Sequence, residues 1–298
     1  MGNEQQFEKL NIQWFPGHMT KAQRMIEDQM KQVDAVCEIL DARIPMASRN
    51  PDVDRLAGAK PRIVVLNRID LADPNATARW REWFKAGGYA VLEADSRSGR
   101  GVKGFAGAVR SVLKETIEAY AAKGQVGRPM RVMIVGIPNV GKSTFINQVA
   151  RRKAAVAGDR PGVTRGKQWI TVDKGLELLD TPGILWPKFE DQQVGIRLAL
   201  VSAIREELLD INELSLWLLD YLQKEYPGVV QGKYAREGET FPEDLTMVQL
   251  LEAIAVSRNL LVKGGEPDYQ RTSKMLLDDY KNGRTGRISL ENVPAEES

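Results

Sequence analysis

A chain of 298 residues that is 43% hydrophobic has material for two cores, one of ordinary domain size and one smaller. No run approaches the ~20 uninterrupted apolar residues of a membrane-spanning helix, and Glu4 and Glu8 spoil a signal or transit peptide, so a cytoplasmic protein with no membrane partner is expected. A single cysteine, Cys37, excludes an internal disulfide, and its apolar surroundings make it a small hydrophobe rather than a reactive thiol. The net charge of +2 hides an asymmetry, with 30 Lys+Arg against 22 Asp+Glu in residues 1–194 and 12 against 18 in residues 195–298. The basic excess of the first part is compatible with nucleic acid, but an excess this modest is usually just a solvated face.

In chain order, the spacing predicts a helix over 20–32, a strand over 35–40, a strand over 62–66, a helix over 76–86 and a strand over 89–93. A helix over 102–123, a strand over 130–135 and a helix over 142–151 follow, then an antiparallel pair, 169–172 and 176–179, joined around Lys174 and Gly175. Short apolar strands alternating with amphipathic helices imply an α/β fold, a mostly parallel sheet with helices on both faces. Trp80, Trp83 and Phe84 share one face of the helix over 76–86 and read as core. After Phe189 the pattern becomes helical, over 194–209, 213–225 and 246–261, which places a domain boundary near 190. The expected division is 1–190, a small all-α domain over 191–291, and a frayed tail over 292–298.

Gly136-Ile137-Pro138-Asn139-Val140-Gly141-Lys142-Ser143 matches the phosphate-binding loop pattern in full, between a predicted strand and a predicted helix. Backbone N–H groups there, including those of Val140, Gly141 and Thr144, can surround phosphate oxygens. Lys142 is expected to reach the β/γ-phosphates and Ser143 a magnesium ion. Asp180-Thr181-Pro182-Gly183 ends an apolar run 38 positions after Lys142, where an acidic residue holds magnesium through water and the Gly183 N–H meets the γ-phosphate. Between these motifs, Thr164 in Pro161-Gly162-Val163-Thr164 offers a switch hydroxyl for the same ion. Asn67-Arg68-Ile69-Asp70 closes a strand, and a buried Asp70 carboxylate can accept from guanine N1–H and N2–H₂, a pair adenine lacks. Asp95-Ser96-Arg97 looks like the loop that donates to the guanine carbonyl.

Together these segments resemble the signature motifs of translation-factor-class GTPases, but the base-reading motifs precede the phosphate loop. A sheet is defined by spatial order, so joining old termini and opening a new break, here just after Gly183, leaves the site intact. This order resembles the YlqF/YawG group of circularly permuted GTPases. Trp14-Phe15-Pro16-Gly17-His18-Met19, Asp41-Ala42-Arg43-Ile44-Pro45 and the stretch 180–189 resemble its ribosome biogenesis GTPase A branch. The resemblance implies a circularly permuted P-loop GTPase domain followed by a helical domain. It also implies GTP hydrolysis during assembly of the large ribosomal subunit, and rRNA contact by both domains. One departure is Arg68, where lysine is commoner; a guanidinium can still cover the purine ring.

Ile184 occupies the position where many GTPases place a water-orienting glutamine, and it can neither accept nor donate. His18, the single histidine, can orient water or relay its proton near neutral pH, and the resemblance implies that role. Asn139 is similar to the asparagine with which potassium-activated GTPases help hold a monovalent cation; its alternative role is to stabilise the loop. Since the second switch leads directly into residue 190 onward, GTP is expected to set the domain angle. Candidate RNA contacts beyond it are Lys263, Arg271, Lys274, Lys281, Arg284 and Arg287. The expected partners are GTP or GDP and a large-subunit precursor with its rRNA and ribosomal proteins, met by a monomer in the GTP state. Two readings compete: a stand-alone regulatory GTPase, and a GTP-gated module that does not hydrolyse.

Overall fold

The computed structural model describes residues 18–150, 168–173, 175–186, 189, 191–205 and 210–294. Strand β1 (Ala35–Asp41) has every residue buried, because its apolar run must face helices on both sides. Glu38, inside it, is ion-paired with Arg49 at 3.4 Å and with Arg62. Around β1 a six-stranded sheet forms in the order β3-β2-β1-β4-β6-β5, with β2 at Arg62–Asn67, β3 at Ala90–Ala94, β4 at Met130–Val135, β5 at Gln168–Asp173 and β6 at Leu176–Asp180. All neighbours are parallel except β5 with β6.

Helix α1 (His18–Met30) and the short α2 (Asp52–Ala57) cover one face. Ile26, Met30, Val53 and Ala57 close there over Val36, Met133, Val135 and Leu179. Helix α3 (Pro74–Ala86) starts where the Asp73 carboxylate accepts from the N–H groups of Asn75 and Ala76, with proline in its first turn. Its Trp80 and Phe84 are buried against Leu40, Leu66, Ile69 and Ala72, with Trp83 at the margin.

The single helix expected over 102–123 is instead a 3₁₀ turn (Val102–Gly104), α4 (Phe105–Val112) and α5 (Lys114–Ala122). Val102, Phe105, Val109 and Leu113 are buried, whereas α5 buries nothing. The run of fully buried residues ends at Leu113, and α5 is held more loosely, through half-buried Ile117 and through Tyr120, whose hydroxyl donates to Asp34 at 2.9 Å. Helix α6 (Lys142–Ala150) completes the sheet unit.

Phe189–Leu290 form a second, helical unit with α7 (Gln192–Leu200), α8 (Ile211–Glu225), α9 (Val229–Tyr234), α10 (Met247–Ser257) and α11 (Tyr269–Lys281). Leu214, Leu218, Leu250, Ile254, Leu276 and Tyr280 are buried in it. Thr246 and Gln249 make a reciprocal capping box at the start of α10. Helices α2, α9 and α11 were not anticipated. The first two have six residues each, too few for a periodic signal, and α11 carries only a sparse apolar stripe. Residues 291–294 depart from the expected boundary and frayed tail: they belong to the sheet unit, where Glu291 is buried and Val293 packs beside Trp80.

Candidate functional site

Five strands end along one edge of the sheet. Register sets Asp41 beside Asn67, Asn67 beside Ala94, Glu38 beside Val135 and Ile134 beside Asp180. The loops after β1, β2, β3, β4 and β6 therefore open side by side. From β1 the chain builds outward through β2 and β3, then returns to add β4 and β6 on the other side. Open α/β sheets bind ligands at such a reversal, beyond the carboxyl ends of the strands.

Residues 136–141 connect β4 to α6 in the strand-loop-helix arrangement that the phosphate loop requires. Asn139 adopts a left-handed backbone at φ 59° and is exposed. Gly141 has φ 100°, and a Cβ there would lie 2.6 Å from Asn67 Nδ2, so no other residue fits. Lys142 curls back over the loop, donating to the carbonyls of Gly136 at 3.0 Å and Ile137 at 2.8 Å. Burial pushes its ammonium down to about 8, and the nearby Asp180 carboxylate only partly offsets this. Ser143 is exposed in the first turn of α6, with Thr144 beside it half-buried.

Asn67 ties three motifs together. Its Nδ2 donates to the Val140 carbonyl at 2.8 Å, while its Oδ1 accepts from the Ser96 N–H at 3.1 Å and the Ser96 hydroxyl at 2.7 Å. Arg68, left-handed at φ 61°, donates to the Asn139 carbonyl at 2.7 Å. Asp95 accepts from the Arg97 N–H at 2.9 Å. Burial opposes its charge, but the Ser98 hydroxyl and the N–H groups of Arg97 and Ser98 outweigh that and hold the carboxyl below its ordinary value. Asp70 departs from expectation: it is exposed, not buried. Its segment crosses the rim of the sheet edge, whereas its neighbours Ile69 and Ala72 point inward.

On the other side of the loop, Thr181 is buried and donates to the Ile134 carbonyl at 2.7 Å. Asp180 is half-buried at the end of β6. A Cβ on Gly183 would meet Pro138 Cα at 2.7 Å and Lys142 Nζ at 3.1 Å, which brings this glycine directly against the phosphate loop. Ile184 points away, into the apolar cluster with Ile26 and Met30 of α1. His18 is the first residue of α1, its backbone alone being described, and Thr164 lies outside the described residues.

Two features were not assigned a task on chemical grounds. Asp41 takes a two-pronged ion pair from Arg43, at 2.9 and 2.8 Å, with both side chains buried. Burial works to raise the Asp41 carboxyl, yet the Arg43 guanidinium and its hydrogen bonds hold it below the usual range. The signal was an acidic residue ending an apolar strand, as Asp180 does. The second feature is Glu291, which accepts from the N–H groups of Met46 and Ala47; nothing local announces it.

A strand-loop-helix phosphate-loop motif, a following Asp-Thr-Pro-Gly segment packed against it, and an Asn-Arg-Ile-Asp segment hydrogen-bonded to that loop from a strand earlier in the chain define a circularly permuted P-loop GTPase domain. A family model described as 50S ribosome-binding GTPase matches residues 131–253, beginning at the phosphate-loop strand and leaving residues 67–70 and 95–97 upstream. Ribosome biogenesis GTPase A of Bacillus cereus is 45% identical over 94% of the chain and 93% of its own, and that of Thermotoga maritima 32% identical over 94% of each. GDP-bound YlqF superposes with a TM-score of 0.64 at 29% identity, covering 91% of this chain and 99% of that one; GNP-bound YlqF from T. maritima gives 0.62 at 30%, covering 91% and 98%. The chain belongs to the ribosome biogenesis GTPase A family of GTP hydrolases.

Proposed function

We propose that this protein binds and hydrolyses GTP while docked, in its GTP state, on a precursor of the large ribosomal subunit, in contact with rRNA and ribosomal proteins, as a cytoplasmic monomer. One observation carries the reading: the phosphate, switch and base motifs converge on one sheet edge in a chain that matches relatives named for ribosome biogenesis over nearly its whole length.

In this reading the N–H groups of residues 139–144 hold the phosphates, and Lys142 leaves its loop carbonyls to pair with the β/γ oxygens. Asp70, exposed at the rim, meets the guanine N1–H and N2–H₂, Arg68 lies along the base, and Asp95 with Ser96 fixes the loop that faces the guanine carbonyl. The Gly183 N–H faces the γ-phosphate across Pro138. An exposed Ser143 hydroxyl and the Asp180 carboxylate, oxygen donors on adjacent elements, fit magnesium, with Thr164 as the switch ligand. Bound there, magnesium neutralises charge on the phosphates. Asn139, exposed within the loop, is the residue assigned to a potassium ion.

Ile184 is committed to the core, so water orientation falls to His18, at the head of the helix packed on that same core. The test is GTP turnover with and without purified large subunits, in wild type and His18→Ala, in potassium and then sodium buffer. Stimulation by subunits that disappears in His18→Ala is expected, with slower turnover in sodium. Stimulation that survives the mutation assigns water positioning elsewhere, and a wild type indifferent to subunits favours a stand-alone GTPase.

A further inference from the structure

We propose that Glu291 and Val293, at the far end of the chain, are positioning residues for the segment 67–70, so that guanine selectivity depends on the residues that follow the helical unit. The proposal rests on reading 67–70 as the base-reading segment.

Glu291 is buried, and its two carboxylate oxygens accept from successive backbone N–H groups, Met46 at 2.7 Å and Ala47 at 2.9 Å, while its carbonyl accepts from Trp80 Nε1 at 3.2 Å. A carboxylate with one oxygen on each of two neighbouring amides fixes a loop in position and orientation together. That loop touches the base-reading segment at two points. The Ala42 N–H donates to the Asn67 carbonyl at 2.8 Å. Asp41, whose N–H is held by the Ser48 hydroxyl at 3.0 Å, brings its carboxylate within 4.0 Å of Arg68 Nε. Displacing residues 46–47 therefore moves the supports of Asn67 and Arg68.

Val293 acts from a second direction. It packs on the cluster of Leu66, Ile69, Ala72 and Trp80, and Ile69 and Ala72 are the inward-facing residues on either side of exposed Asp70. The rim carboxylate has no burial of its own to set its position; its neighbours set it. Between Glu291 and Val293, the exposed Asn292 makes only a surface contact with Arg79 at 3.2 Å.

The experiment compares GDP with inosine diphosphate, which keeps N1–H but lacks the N2 amine, as ligands of the full chain. Glu291→Gln keeps the shape but places an amide where an N–H must be accepted; Val293→Ala trims the second support; Asn292→Ala is the control. Expected is a roughly tenfold weaker GDP affinity in Glu291→Gln, the size of one lost charge-assisted hydrogen bond, with inosine diphosphate affected less, a smaller shift of the same kind in Val293→Ala, and none in Asn292→Ala. Equal losses for both nucleotides describe a general loosening and overturn the proposal, as does an unchanged GDP preference in both variants. A wild type without GDP preference removes the base-reading assignment itself, and the positioning role with it.

Discussion

Lys142 gathers the conflict between burial and charge in the phosphate loop into one side chain. Its ammonium is buried against two carbonyls and pushed from 10.5 down to about 8. Between those values the unfolded chain binds the proton more readily, so this group's penalty on the folded state is full below about pH 8 and fades as pH rises to 10.5. In the proposed role of Lys142, phosphate oxygens restore the charge, so nucleotide binding above pH 8 is expected to take up a proton. GDP affinity is therefore expected to weaken by up to about tenfold per unit above pH 8, and Lys142→Met to bind weakly without that slope. Titrations of a fluorescent GDP between pH 7.5 and 9 check this; a flat wild-type profile means that the lysine is already charged in the free protein. Residue chemistry of this kind is legible in sequence when it lies within a motif. Asn67 shows where legibility stops: its segment read as a base-reading motif, but its own partners, Ser96 and Val140, are 29 and 73 positions away, and only the fold brings them together.

Among the elements, α1 depends on a cluster to which the position after Gly183 contributes. Ile184 shares that cluster with Ile26 and Met30, and its N–H donates to the Gly136 carbonyl at 3.3 Å. Installing the glutamine of other GTPases would bury an amide among aliphatic groups. Ile184→Gln is expected to cost about 1–3 kcal/mol of stability and to lower turnover, since it loosens the helix that carries His18. Denaturant unfolding and GTP turnover measured side by side decide the matter; a gain in turnover would show that position 184 reaches the phosphates. Strands β1, β2 and β4 were the most legible elements, because two-sided burial writes a nearly continuous apolar run. The divided helix after Gly101 was not, because the drop from full to partial burial after Leu113 leaves no mark in the local sequence.

For the whole molecule, the chain connects the two units twice: it passes into the helical unit after residues 180–183 and returns to the sheet unit at Glu291. The permuted order was readable from the motif sequence; the return was not, since its partners lie 244 and 245 positions upstream. On the proposed roles of Gly183 and residues 67–70, a γ-phosphate that draws in Gly183 acts on the first of these connections and leaves the second in place. Small-angle scattering is expected to differ between the GTP-analogue and GDP forms, and superimposable profiles would speak against nucleotide control of the helical unit.

The sheet order also has a consequence for synthesis. As the chain leaves the ribosome, β1, β2 and β3 emerge first, and β1 can pair at once with β2. Its other edge must wait for β4, which begins at Met130. Until then β1, in which every residue is buried in the folded protein, presents an open row of backbone groups to any neighbouring strand. A protein placed in a family named for ribosome assembly is thus itself most vulnerable to misassociation partway through its own translation.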